Sequence, residues 1–151
     1  MKKILTLALI FVCMTTFSQK SDEDQIKATL EKFFEGFHKG DIPLMRATLH
    51  EKLIMQTVYK DREGKDVLTQ DDPEHFLDAI AKRPPEEKWD ERLLDIIIKI
   101  DGKMANVWTP YEFRFNNVLI HCGVNSLHMF KDNGTWKIIY MIDTRRREGC
   151  R

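Results

Sequence analysis

A chain of 151 residues with 24 basic and 24 acidic side chains carries no formal net charge, so it lacks the broad positive field of a nucleic-acid or anionic-membrane binder. That length builds one hydrophobic core and one domain, and no repeat, low-complexity tract or interdomain linker divides it.

The first eighteen residues, "MKKILTLALIFVCMTTFS", have the layout of a secretory signal. Lys2 and Lys3 form a basic start, residues 4–12 a short apolar run, and Thr16 and Ser18 stand at −3 and −1 of a cut before Gln19. The run is too short to span a bilayer comfortably, so no stable membrane insertion is expected after cleavage. A lipid anchor on Cys13 is the competing reading, with Val12 a poor residue before a lipidated cysteine. The expectation is therefore a signal at 1–18 and a single exported domain at 19–151, periplasmic or secreted. Without Lys2 and Lys3 the chain has 22 basic against 24 acidic residues, and the cluster "RRR" at 145–147 does not reverse that balance.

Asp22–Lys39 reads as a helix: Ser21 or Asp22 caps it, acids fill its first turn, and Ile26, Leu30, Phe33, Phe34 and Phe37 recur at helical spacing up to Gly40. Asp41 then caps a short second helix holding Leu44, Met45, Thr48 and Leu49. "KLIMQTVYKD" is a β-type run closed by the turn signal "REGK". A third helix is predicted over 72–82, with Pro73 in its first turn and "RPP" ending it. From Trp89 four long β-type runs follow, separated by "DGK", "NN" and "DNG". The order α-α-β-α-β-β-β-β, helices first and then a strand meander, predicts an α+β fold.

Export leaves Cys122 and Cys150 as the only thiols, and an oxidising compartment favours a disulfide between them over two unpaired cysteines. No HExxH, CxxC, phosphate loop or GxSxG elbow occurs. His121 and Cys122 are neighbours on a strand and point to opposite faces, so they cannot chelate one ion. Neither metal nor cofactor is expected.

The stretches "VWTPYEF" (107–113), "HCGVNS" (121–126) and "WKIIYMIDTRRREGC" (136–150), together with the element order, resemble the nuclear transport factor 2-like superfamily. That superfamily includes ketosteroid isomerase, scytalone dehydratase and polyketide cyclases of the SnoaL type. More narrowly, the chain resembles exported bacterial members labelled lumazine-binding-like. The resemblance implies a cone-shaped, curved antiparallel sheet wrapped on the N-terminal helices, and a homodimer through the sheet. It leaves activity open, because the superfamily hosts several enzyme types and non-catalytic binders.

Strand alternation proposes the site. A two-residue turn at Asn116 and Asn117 pairs Glu112 with His121, Trp108 with Asn125 and Tyr111 with Cys122. A three-residue "DNG" turn would add Asp143 and Arg145 to the face of His121, whereas a two-residue loop would move them away. In this reading Glu112 orients His121 as a general base, Asp143 is a second acid or base, and Arg145 holds an anionic oxygen. Such cross-strand pairs also serve simply to satisfy polar residues on a sheet. Trp108, Tyr111, Phe113 and Asn125 are candidate ligand contacts, with His50 expected at the end of the second helix near the cavity mouth. Either the polar face lines the pocket, or it meets a partner while Tyr111 and Phe113 face the cavity. The expected function is an exported binder of an unknown small molecule with an aromatic and polar cavity. A cofactor-independent acid–base enzyme using His121 with Glu112 or Asp143 is the alternative, and a non-catalytic interaction module the third.

Overall fold

Ser21 opens the first helix by accepting the Asp24 N–H on its hydroxyl at 3.1 Å, and Gly40 closes it in the left-handed conformation at φ 71°. The computed structural model describes residues 21–150, so the expected signal at 1–18, the Cys13 anchor and the cut before Gln19 lie outside the described residues. Helix α1 (Asp22–Lys39) is followed by α2 (Ile42–Arg46), β1 (Leu49–Lys60), β2 (Asp66–Asp71) and α3 (Pro73–Ala81). Strands β3 (Trp89–Leu93), β4 (Ile97–Asp101), β5 (Met104–Phe115), β6 (Val118–Asp132) and β7 (Thr135–Arg145) complete the chain. The fold is α+β as expected, with three helices on a curved, open seven-stranded sheet. Among the described residues no helix is long and apolar enough to cross a membrane.

Two strands exceed the expected order. "DVLTQD" forms β2, a mostly exposed edge strand whose weak alternation hides it in the sequence. The run "WDERLLDIIIKI" is split into β3 and β4, both pairing with β5. Pro110 explains the break. Its carbonyl accepts the Leu94 N–H at 2.8 Å, so its donor-less nitrogen faces the same edge, where the ladder skips residues 94–96.

The sheet order is β2-β1-β7-β6-β5-β3, with β4 also on β5. The β1–β7 pair is parallel, and the other pairs of the sheet are antiparallel as expected. α2 spans a single turn and the chain is already extended by Leu49, so His50 lies on β1 and not at a helix end.

Register decides the site. Asn116 and Asn117 both take positive φ, 49° and 68°, and pair Phe115 with Val118 as the two-residue turn predicts. A bulge at Ile120 then shifts the ladder by one, pairing Phe113 with His121, Tyr111 with Gly123 and Glu112 with Cys122. The β6–β7 turn is also two residues, Asn133 and Gly134, which corrects the three-residue loop. A second bulge, at Ile139, compensates and brings Asp143 opposite Asn125.

Helices α1 and α3 cover the concave face. Ile26, Leu30, Phe33, Leu77 and Ile80 pack there against Val107, Leu127, Met129 and Ile138, all nearly inaccessible. Trp136 seals one end, donating its indole N–H to Asp22 at 3.2 Å. At the other end Cys122 and Cys150 form the expected disulfide, with Cα atoms 5.7 Å apart, and Cys122 exchanges two backbone hydrogen bonds of 2.9 Å with Arg146.

Candidate functional site

The helices seal only part of the concave face. Between α1, α3 and strands β3, β5, β6 and β7 lies a cavity of about 470 Å³. Phe33, Phe37, Phe76, Trp89 and Phe113 supply aromatic walls. Phe37 and Phe76 stack with centroids 6.4 Å apart, and Trp89 meets Phe113 edge-on at the same distance. Phe113 stacks on His121 at 4.9 Å, and the Tyr111 ring stands perpendicular to that imidazole at 5.8 Å. Thr57, Asp71, His121 and Arg145 also border an open cleft of about 1300 Å³ beside the β1–β2 hairpin.

The polar floor is organised by Asp143, which is 8% exposed. One carboxylate oxygen accepts the Thr57 hydroxyl at 2.6 Å. The other accepts the Tyr111 hydroxyl at 3.0 Å and Arg145 Nε at 2.8 Å. With both oxygens engaged, Asp143 is a structural hub and not a free base. Burial, with the neighbouring Asp143 and Glu91 carboxylates, pushes the Tyr111 phenol far above its usual range, so it remains a protonated donor. Burial alone would weaken the Arg145 charge, but Asp143 more than restores it.

Six of the candidate residues converge on this cavity: Tyr111, Phe113, His121, Asn125, Asp143 and Arg145. Three do not. Glu112 is on the opposite face, paired with Arg114 at 2.9 Å, because the Ile120 bulge separates it from His121. Trp108 shares that outer face and is 47% exposed. His50 accepts the Lys52 N–H at 3.0 Å and packs edge-on near Phe130, away from the cavity. The open question about the faces resolves as a mixture, because the bulge places Tyr111 and Phe113 on the same side as His121.

The expected Glu112–His121 dyad is thus overturned, and so is a more basic imidazole. Burial, then the charge of Arg145, lowers the His121 pKa to about 4, leaving a neutral ring at pH 7. The acid that sequence reasoning missed is Glu91 on β3. Its carboxylate accepts Asn125 Nδ2 at 2.6 Å, and burial, opposed by that hydrogen bond but reinforced by Asp143, raises its pKa to about 7. The signal was the alternation Trp89, Glu91, Leu93, which sets an acid on an apolar face. Among the described residues no three His, Cys, Asp or Glu side chains converge to hold a metal ion.

A family described as "Putative lumazine-binding" matches residues 21–141. No curated protein matches the chain. Among solved structures, an NTF2-like protein from Cytophaga hutchinsonii is 18% identical with a TM-score of 0.66, covering 84% of this chain and 100% of its own. An NTF2-like protein of unknown function from Shewanella baltica is 19% identical with a TM-score of 0.59, covering 86% of this chain and 100% of its own. At such identities these likenesses speak to the fold alone.

Proposed function

Because the chain belongs to this lumazine-binding-like family within the nuclear transport factor 2-like superfamily, whose architecture suits ligand binding, we infer that it is an exported domain holding a flat aromatic heterocycle. The observation that carries the reading is the cavity itself: aromatic walls around a floor of a few fixed polar groups, in a volume suited to a small molecule. Asp143 fixes Tyr111 and Arg145 in place, so a ligand meets an already oriented guanidinium, whose N–H groups beyond the one spent on Asp143 can donate, and a phenol oxygen that can accept. The neutral His121 and Phe113 offer a flat stack for a ring. Lumazine, a bicyclic ring with polar edges, is the natural first probe of a fold with this family description.

Native mass spectrometry of the purified protein tests the reading through a retained ligand, and titration with lumazine tests it through Trp89 emission. Phe113→Ala is expected to weaken lumazine binding about tenfold, the usual cost of removing an aromatic anchor. A protein that carries no small molecule and leaves lumazine unbound would refute the reading.

The same proposal places the protein in an oxidising compartment, supported by the Cys122–Cys150 bridge. An intact mass starting at Gln19 in the exported fraction checks it. A homodimer through the outer sheet face is supported by exposed Ile97, Met104 and Trp108 there. Light scattering should give twice the monomer mass, and Trp108→Glu should halve it. Acid–base catalysis is the second reading, favoured by the Glu91 pKa near 7. Turnover of a bound ligand, lost in Glu91→Gln, would distinguish it from simple binding.

A further inference from the structure

The cavity presents a donor–acceptor pattern that narrows what fits it. Asn125 spends one amide N–H on Glu91 Oε1, and that is the one hydrogen bond either side chain makes among the described residues. Both side chains border the cavity, and neither Asn125 Oδ1 nor Glu91 Oε2 is a sealed, unsatisfied atom. A ligand therefore meets an amide acceptor beside a carboxyl oxygen.

We propose that Glu91 and Asn125 recognise a lactam edge, a ring carbonyl next to a ring N–H, with Glu91 holding a proton in the complex. The proposal rests on the cavity being a heterocycle site. A neutral carboxyl turns its hydroxyl toward the ligand carbonyl, while Asn125 Oδ1 accepts the ligand N–H, so two complementary hydrogen bonds form side by side. A carboxylate would present two acceptors, and the ligand carbonyl would face a negative oxygen in a poorly hydrated site.

The surroundings favour the neutral form. From β7, Asp143 opposes a second negative charge while Arg145 partly offsets it. From β5 and β6, Tyr111 and His121 are both uncharged at pH 7. From α1, His38 contacts the Glu91 backbone at 3.0 Å, and burial keeps that imidazole below its usual pKa. Glu31, Glu35 and Lys39 line the groove along α1, Asp71 of β2, His75 of α3 and Glu87 just before β3 border the cavity, and on β3 itself Asp90 and Arg92 pair with each other. Binding then draws a proton from solvent onto Glu91, and affinity falls as pH rises above 7.

Calorimetric titration tests this with lumazine and with 1,3-dimethyllumazine, in which both ring N–H groups are replaced. Each is run at pH 7 in phosphate and in Tris, buffers of different ionisation enthalpy, with lumazine repeated at pH 6 and 8. The expected result is lumazine binding at least tenfold tighter than its dimethyl derivative, with uptake of about half a proton at pH 7. Glu91→Gln, whose amide donates permanently, should lose the proton uptake assigned to Glu91 at pH 7 and keep only the pH dependence that lumazine's own ionisation imposes, which separates the two. Glu91→Ala should lose the discrimination between the two compounds. Equal binding of both by the unmodified protein would overturn the lactam edge while leaving the heterocycle site standing. Proton uptake that persists in Glu91→Gln would overturn the role of Glu91, and binding of neither compound would overturn both readings.

Discussion

Gly123 has no side chain because there is no room for one: a Cβ there would stand 1.6 Å from the Thr144 carbonyl oxygen. That closeness lets the Tyr111 hydroxyl reach both Asp143 and the Thr144 carbonyl, at 3.0 and 3.1 Å. Gly123→Ala is therefore expected to cost about 3 kcal/mol or more, seen as a large fall in the denaturant midpoint. Tyr111→Phe keeps the ring and removes the one hydroxyl donor that Asp143 and the Thr144 carbonyl share, so a loss of about 1–2 kcal/mol in the same measurement is expected. At this scale the sequence was partly legible. Alternation grouped His121, Asn125, Asp143 and Arg145, but it set Glu112 and Trp108 with them and Tyr111 on the other face. On β3 it marks Glu91 as an acid on an apolar face, yet it cannot name the partner, Asn125, 34 residues away.

Among elements, the helices were the most readable, because caps and a 3.6-residue period are local: α1 matches the expected Asp22–Lys39. Hairpin turns were readable where two asparagines demand positive φ. Bulges were not, since nothing in "VLIHC" or "WKIIYM" marks Ile120 or Ile139 as the extra residue, and each reverses the facing of everything beyond it. The parallel β1–β7 pairing was hidden for another reason: it joins segments separated by most of the chain. The disulfide locks a related long-range contact, holding the segment after β7 against β6. Reducing it should lower stability by about 3 kcal/mol on chain-entropy grounds, and both thiols should alkylate only after reduction.

For the whole molecule, the two displaced titrations oppose each other. Glu91 has a folded pKa raised from 4.5 to about 7, so its contribution is full below 4.5 and is lost as pH rises through 7. His121 has a folded pKa lowered from 6.5 to about 4, so its contribution is full above 6.5 and is lost as pH falls through 4. Between 4.5 and 6.5 the unfolded chain has His121 charged and Glu91 ionised, while the folded chain has both neutral, and no net proton is exchanged. Glu91→Gln should uncover the histidine alone, with stability rising by about 2 kcal/mol from pH 4.5 to 6.5. His121→Gln should uncover the acid, with a fall of similar size across the same window. Urea unfolding at a series of pH values, compared with the unmodified protein, reads both slopes. The distribution of indoles gives a last consequence. Trp89 stands in the cavity wall, Trp108 on the outer face and Trp136 in the sealed end of the core. Variants retaining one indole each would make the molecule its own optical instrument: one channel for occupancy, one for association and one for melting, with no dye attached.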